Sequence, residues 1–311
     1  MNNPSVSVVT PVYGCAGCLE DLADRVSMVL TGRCDSFEII MVDDASPDGA
    51  WRRINEIAAV QPAVRGLRLS RNFGQHAAIS AGLHHARGDK IVVMDCDLQD
   101  LPEEIPALLD ALQGDVAVAL AKRVERRDSV FKRLGSWAFY RLLEWLTDSS
   151  HDHAIANFGA YRRDVIDAIN AMPETDRFFP LLVRWTGFTA KSVQVNHGRR
   201  HDGRSGYSLR QLISLATNVA LSFSDKPLRL VIRIGLVFAL FALCIVAYSV
   251  YAYAVGDIQV AGFTSIIASI WLVGSSILSS VGVLGLYLGR LFNGAKGRPN
   301  FIIAEQIGGV F

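Results

Sequence analysis

The sequence predicts an α/β fold, a mainly parallel sheet flanked by helices, followed by an amphipathic helix and a hairpin of two long apolar helices. Three observations carry that expectation. Short β-rich runs alternate with helix-like stretches through the first part of the chain, the pattern of a parallel sheet whose ligands lie beyond the carboxyl ends of its strands. One of those runs, Ile91–Met94, is wholly apolar and then breaks into Asp95, Cys96 and Asp97. Acids leaving a buried strand are costly unless a cation shares the site. Finally, the composition changes at about Lys226 from charged to almost entirely apolar.

The 311 residues suffice for one large domain with an appendage, or for two modest domains. A net charge of +1 writes no polyelectrolyte partner such as nucleic acid into the chain. The N-terminus has no basic segment and only a strand-length apolar run, so no signal peptide is expected. Five scattered cysteines, Cys15, Cys18, Cys34, Cys96 and Cys244, suit a reducing compartment and free thiols better than a disulfide framework. Cys15 and Cys18 form a C-x-x-C without the second pair of a zinc site, and His151, His153, His197 and His201 lack zinc spacing.

Strands are expected at Val6–Thr10, Phe37–Val42, Val64–Ser70, Lys90–Met94 and Val116–Ala121. Helices are expected around Cys18–Leu30, Ala50–Val60, Gln75–Ala86 and Pro102–Leu112. The first strand runs into Thr10, Pro11, Val12 and Tyr13, whose ring is suited to cover a base. The second ends in Asp43, Asp44, Ser46 and Asp48, and the third in Ser70, Arg71, Asn72, Phe73 and Gly74. Asp48 and Asn72 are also good helix starters. Together these groups mark one rim of one sheet, where a nucleotide would lie.

Behind the fourth strand, Asp95 and Asp97, with Gln99 and Asp100 following, offer the hard oxygen ligands that a divalent ion takes while keeping room for substrate phosphates. The run Lys122–Arg133 precedes Trp137, Phe139 and Tyr140. It reads either as a solvated helical face or as a phosphate clamp beside a lipid-facing surface.

The segments TPVYGCAGCLEDL, EIIMVDDASPDGA, LSRNFGQHAAISAGL and VVMDCDLQDLPEEI resemble, in this order, the successive motifs of family 2 glycosyltransferases with the GT-A fold. The branch most alike is the polyprenyl-phosphate glycosyltransferases, and the likeness runs from Val6 to about Pro299. It implies a nucleotide-sugar donor, with UDP as the expected nucleotide, held by Pro11, Tyr13, Asp43, Asp44, Arg71, Asp95, Arg200, Arg204 and Ser205. It implies Mg2+ or Mn2+ on Asp95, Asp97 and Gln99. It also implies a polyprenyl phosphate acceptor, expected to be undecaprenyl phosphate, on Arg123, Arg127, Lys132 and Arg133. Catalytic roles fall to Asp97, Arg123 and Asn157. The basic, Gly-containing stretch Arg199–Tyr207 resembles the family loop that closes over donor phosphates. Three positions depart from the family pattern. Gly14 replaces an asparagine, Gln75 a common lysine, and Asn157 an aspartate proposed as the base.

Ser208–Phe223 carries Leu209, Leu212, Ile213, Ala216, Val219, Ala220 and Phe223 at helical spacing, an amphipathic helix that either packs on the core or lies in the membrane interface; its place before the apolar region favours the interface. Ile234–Gly256 and Ile258–Gly289 contain no charged residue, and each exceeds the roughly 20 residues that cross a bilayer. Arg229 and Arg233 precede the first stretch, and Arg290, Lys296 and Arg298 follow the second. That asymmetry places both ends of the hairpin on the cytoplasmic side of the cell (inner) membrane. Gly282, Gly285 and Gly289 form a small-residue surface for close helix approach, either within the hairpin or between subunits of a homo-oligomer, up to a tetramer.

The expected organisation is a transferase domain over 1–207, an interfacial helix and linker over 208–228, two spans over 229–290 and a cytoplasmic tail over 291–311. The expected reaction is metal-dependent, inverting transfer of a sugar to polyprenyl phosphate for cell-surface glycan or lipid modification. A processive polysaccharide synthase fits less well, because Leu181 stands where the Q-x-x-R-W motif ending in Arg184–Trp185 needs glutamine. The alternative from another class is a degenerate, non-catalytic subunit that binds or assembles lipid-linked sugar; Asn157 motivates it and the intact D-x-D opposes it.

Overall fold

The computed structural model describes residues 4–123, 155–174, 177–196, 198 and 262–308, with scattered positions of 231–255. The chain forms two compact units. One comprises Met1–Val130, Asp152–Gly206 and Arg298–Phe311, and the other Phe131–His151 and Tyr207–Gly297.

The first unit is built on an eight-stranded sheet. Its strands are β1 (Val6–Val12), β2 (Phe37–Asp43), β3 (Val64–Leu69), β4 (Lys90–Val93), β5 (Val118–Arg123), β6 (Ile155–Arg162), β7 (Ala190–Val195) and β8 (Ile303–Ile307), in the spatial order β7-β5-β6-β4-β1-β2-β3-β8. Strands β4, β1, β2 and β3 form the expected parallel centre. Every residue of β1 is buried, as a strand covered on both faces requires.

The flanks differ from the mainly parallel expectation. Strand β6 enters between β4 and β5 and runs antiparallel to both, while β7 pairs parallel with β5. The sheet is therefore mixed. Residues 303–307, which fall in the stretch read as a tail, form β8 and pair antiparallel with β3 at the opposite edge. Glu305 fixes this strand: its carboxylate accepts from Trp51 Nε1 at 3.0 Å and from Arg68 Nη1 at 2.6 Å.

Helices cover the faces. In α1 (Leu19–Leu30), Leu19, Leu22, Ala23, Val26 and Leu30 are buried, one apolar stripe at helical spacing. Helix α2 (Ala50–Val60) buries Ala50, Ile54 and Ile57 in the same way. Helix α3 (Gln75–His85) is buried continuously from Ala78 to Leu83. It lies so close to the sheet that a Cβ on Gly82 would fall 2.3 Å from Val9 Cγ1. Short helices α4 (Ile105–Ala111), α5 (Arg163–Asn170) and α6 (Phe179–Trp185) complete the layers.

At the amino end of the parallel strands a buried polar chain ties three of them together. Ser7 Oγ donates to Glu38 at 2.6 Å, and the Arg65 guanidinium pairs with the other oxygen of Glu38. Arg65 also donates to the His85 carbonyl, and the backbone N–H of Arg87 donates to Glu38. The side chains of Arg65 and Glu38 are only 5% and 8% exposed, so the pair is a structural one.

In the second unit, α7 (Phe263–Ala295) runs for 33 residues, and its segment Leu272–Gly289 has a mean hydropathy of 1.7 with none of that window buried. Leu272, Ile277, Leu278, Val281, Leu284 and Leu288 are all exposed. A helix this apolar demands lipid or a partner for its surface. Nothing lies within 4 Å of the Cβ positions of Gly282, Gly285 and Gly289. Positions 234–237 of the first apolar stretch are helical; most of that stretch, and the interfacial helix expected at Ser208–Phe223, lie outside the described residues.

Candidate active site

The loops that leave the carboxyl ends of β1, β2, β3 and β4 surround a cavity of about 730 Å³. That size lies within the range of about 300–1,000 Å³ usual for small-molecule sites. Pro11, Tyr13, Asp44, Asp95 and Asp97 line it, so five of the residues chosen from sequence converge on one space. Tyr13 lines it and is 55% exposed, the expected base platform.

The acids at the end of β2 and just beyond it are struts. Asp44 accepts from the backbone N–H of Phe73 at 2.7 Å and of Gly74 at 2.9 Å. It thereby holds the loop that carries Gln75, whose Nε2 donates to Asp95 Oδ1 at 2.7 Å. Asp43 accepts from Ser46 N at 2.9 Å and faces Arg68 Nε at 3.6 Å, and it does not line the cavity. Burial raises the pKa of both carboxyls; backbone hydrogen bonds and the nearby Arg68 and Arg71 only partly oppose it. Asp48 does more than start a helix. It accepts from Ala16 N at 2.9 Å, Ser46 Oγ at 2.6 Å and Ala50 N at 3.2 Å, and so pins the turn after Tyr13. Although partial burial works against its charge, those bonds hold its carboxyl below the ordinary value.

The D-x-D turn is closely held. Asp95 N donates to Asp100 at 3.2 Å, Gln99 N donates to Asp97 Oδ1 at 3.2 Å, and Leu98 takes a left-handed backbone with φ 59°. Such a conformation in a bulky residue persists only when its surroundings impose it. Gly198 N donates to the Gln99 carbonyl at 2.9 Å, which roots the start of the expected phosphate loop on this turn. Asp95 and Asp97 supply two hard oxygen donors on one turn, which fits Mg2+ or Mn2+; no third His, Cys, Asp or Glu joins them among the described residues. Gln99 and Arg71 do not line the cavity; Arg71 lies over the Phe73 ring at 4.0 Å. Asn157 lies in β6. Because Gly159 pairs with Val93, Asn157 falls beyond the carboxyl end of β4, level with the departing Asp95. The side chain of Arg123, and Arg127, Lys132, Arg133, Arg200, Arg204 and Ser205, lie outside the described residues.

One expectation is overturned. Cys15 and Cys96 are joined by a disulfide across 81 residues of sequence, where free thiols were expected. The pairing follows from strand order: β1 and β4 are neighbours, so the turns leaving their carboxyl ends meet. Both cysteines line the cavity. Gln75, a departure from the family pattern, bonds directly to the first acid of the D-x-D.

Fold and site together define a GT-A-like glycosyltransferase architecture: a mixed sheet flanked by helices, with a D-x-D at the carboxyl ends of its parallel strands. The chain belongs to glycosyl transferase family 2, whose profile matches residues 7–169. The undecaprenyl-phosphate 4-deoxy-4-formamido-L-arabinose transferase of Aeromonas hydrophila is 33% identical over 99% of this chain and 96% of its own length. The protein of the same name from Pseudomonas fluorescens is 34% identical over 97% and 89%. Among solved structures, the mannosyltransferase PcManGT of Pyrobaculum calidifontis, in complex with GDP-Man and Mn2+, aligns over 95% of this chain and 87% of its own at 19% identity and a TM-score of 0.46.

Proposed function

We propose that the protein transfers a sugar from a nucleotide-diphosphate sugar, expected to be a UDP-sugar, to undecaprenyl phosphate, inverting the anomeric carbon. The observation that carries this reading is the convergence of Tyr13, Asp95 and Asp97 on one cavity in a family 2 chain. The near full-length likeness to transferases named for undecaprenyl phosphate supports the acceptor. Tyr13 stacks the base and Pro11 walls it. Asp95 and Asp97 would hold a divalent ion, which would offset charge on the departing diphosphate. The basic loops at Arg123–Arg133 and Arg200–Ser205 guide the two phosphates. A phosphomonoester with a second pKa of about 6 is already largely dianionic at neutral pH, so it attacks without a base. Asn157 then has only to orient it.

The proposed topology is a hairpin with both ends cytoplasmic. The return of residues 303–307 to the sheet supports it, because chain before and after the apolar stretches then lies on one side and the number of crossings is even. The test is incubation of purified protein with undecaprenyl phosphate, Mg2+ or Mn2+, and a panel of UDP-, GDP- and dTDP-sugars, followed by detection of lipid-linked sugar. Asp97→Asn is expected to remove nearly all transfer without rescue by excess donor. Full activity in EDTA, or in that variant, overturns the assignment. The non-catalytic reading, favoured by Asn157 alone, is right if every donor fails while Asn157→Asp restores transfer.

A further inference from the structure

We propose that Cys15 and Cys96 are a reversible redox modification site, with a dithiol as reactant, that sets the grip of the cavity on metal and donor. Cys96 is the central residue of the D-x-D, 7% exposed, between the two carboxylates. Cys15 is less buried and lies in the turn after Tyr13. The disulfide holds their Cα atoms 6.4 Å apart and is a covalent tie between the base-platform wall and the metal wall.

Each wall is also held by hydrogen bonds of its own: Gly14 N to Ser46 and Ala16 N to Asp48 on one side, Asp95 N to Asp100 and Gln75 to Asp95 on the other. Opening the disulfide therefore leaves both turns folded and restores only their freedom to move relative to each other. That freedom matters because Asp95 and Asp97 flank the crosslinked residue on one turn, so sharing an ion between their carboxylates draws on the freedom of that turn to adjust. A crosslink on the residue between them opposes the adjustment. The dithiol form binds metal and donor, and the disulfide form binds them poorly. In a reducing compartment, disulfides of this kind are transient and serve as sensors.

The exchange balances. A thiolate of the dithiol attacks Cys15 Sγ, on the less buried of the two residues; the Cys15–Cys96 bond breaks and Cys96 leaves as a thiolate that takes a proton. The reductant's second thiol then attacks the mixed disulfide, releasing Cys15 and closing the reductant's own disulfide. Oxidation runs the reverse course with a small disulfide as acceptor.

The inference rests on the reading of the cavity as the donor site, so the experiment reads linkage and binding separately. Full-length protein in detergent is equilibrated with dithiothreitol or with oxidised glutathione, alkylated and digested, and the Cys15/Cys96 peptides are weighed. Binding of Mn2+ with UDP is followed on the same samples by electron paramagnetic resonance. The reduced protein is expected to bind Mn2+ roughly tenfold more tightly, the usual scale when support around metal ligands changes. Cys15→Ser is expected to bind as the reduced form does in both buffers. Absence of the Cys15–Cys96 linkage, a Cys15–Cys18 linkage in its place, or equal Mn2+ affinity in the two states overturns the proposal. Absence of Mn2+–UDP binding in both states, with the linkage responding, overturns the donor-site reading and the gating with it.

Discussion

His76, at the start of α3, packs its ring on Phe178 with centroids 4.5 Å apart, and its Nδ1 has no hydrogen-bond partner among the described residues. Burial lowers its pKa from 6.5 to about 4. Between those values the unfolded chain carries the proton and the native protein does not, so stability falls as the pH falls through that window. The loss approaches about 3 kcal/mol at its acid end. Thermal unfolding of the full chain in detergent at pH 7 and pH 4.5 measures it, and His76→Phe is expected to reduce the difference. Asn157 sets a second expectation. A phosphate acceptor needs no proton removed at neutral pH, whereas a carboxylate would repel it. Asn157→Asp is therefore expected to give no large gain in initial rate at any pH between 6 and 9, tested with undecaprenyl phosphate as acceptor. At this scale the acids were legible in the sequence, because Asp95 and Asp97 interrupt an apolar strand at a cost that needs a reason. The partners of Asp44 and of Cys15 were not legible. Each lies in a loop that meets its partner only through the order of strands in the sheet.

Among the elements, the parallel strands, their helices and β5 announced themselves by alternation and periodicity, and β6, β7 and β8 did not. Strand β8 exposes Ala304, Glu305 and Gln306, so its sequence lacks the apolar run of a central strand. Strand β6 is not among the expected strands, and nothing local says that it inserts between β4 and β5. The register of β1, β2 and β3 is guarded by Ser7, Glu38 and Arg65. Arg65→Met leaves Glu38 as a buried, unpaired charge and is expected to cost about 3–5 kcal/mol. Adding Glu38→Gln, which keeps acceptors for Ser7 and Arg87, is expected to recover most of that; denaturant titration of the single and double variants gives the coupling. The D-x-D turn depends on Gly198 in another way. A Cβ there would fall 2.6 Å from the Leu98 carbonyl oxygen and 3.0 Å from Leu101 Cδ2. Gly198→Ala must displace either the turn or the root of the following loop, and is expected to raise donor KM roughly tenfold, the scale of lost support around metal ligands. Unchanged steady-state kinetics would show that loop and turn act independently.

For the whole molecule, charge and strand pairing both support the proposed hairpin. Arg229, Arg233, Arg290, Lys296 and Arg298 flank the apolar stretches, and β8 requires the chain beyond them to return to the side of β3. A reporter fused after Phe311 is expected to read as cytoplasmic; an extracytoplasmic signal overturns the hairpin. The position of β8 has a consequence for biogenesis. Its residues are synthesised after α7, and yet they complete a sheet whose other strands have all been made before it. On the proposed topology, a chain whose hairpin inserted with only one crossing would strand these residues across the bilayer from their partner. Arg68 and Trp51 would then lose Glu305, and the bare edge of β3 would be open to wrong pairing. On that topology, closing the sheet would act as an inspection step that only a correctly threaded chain passes.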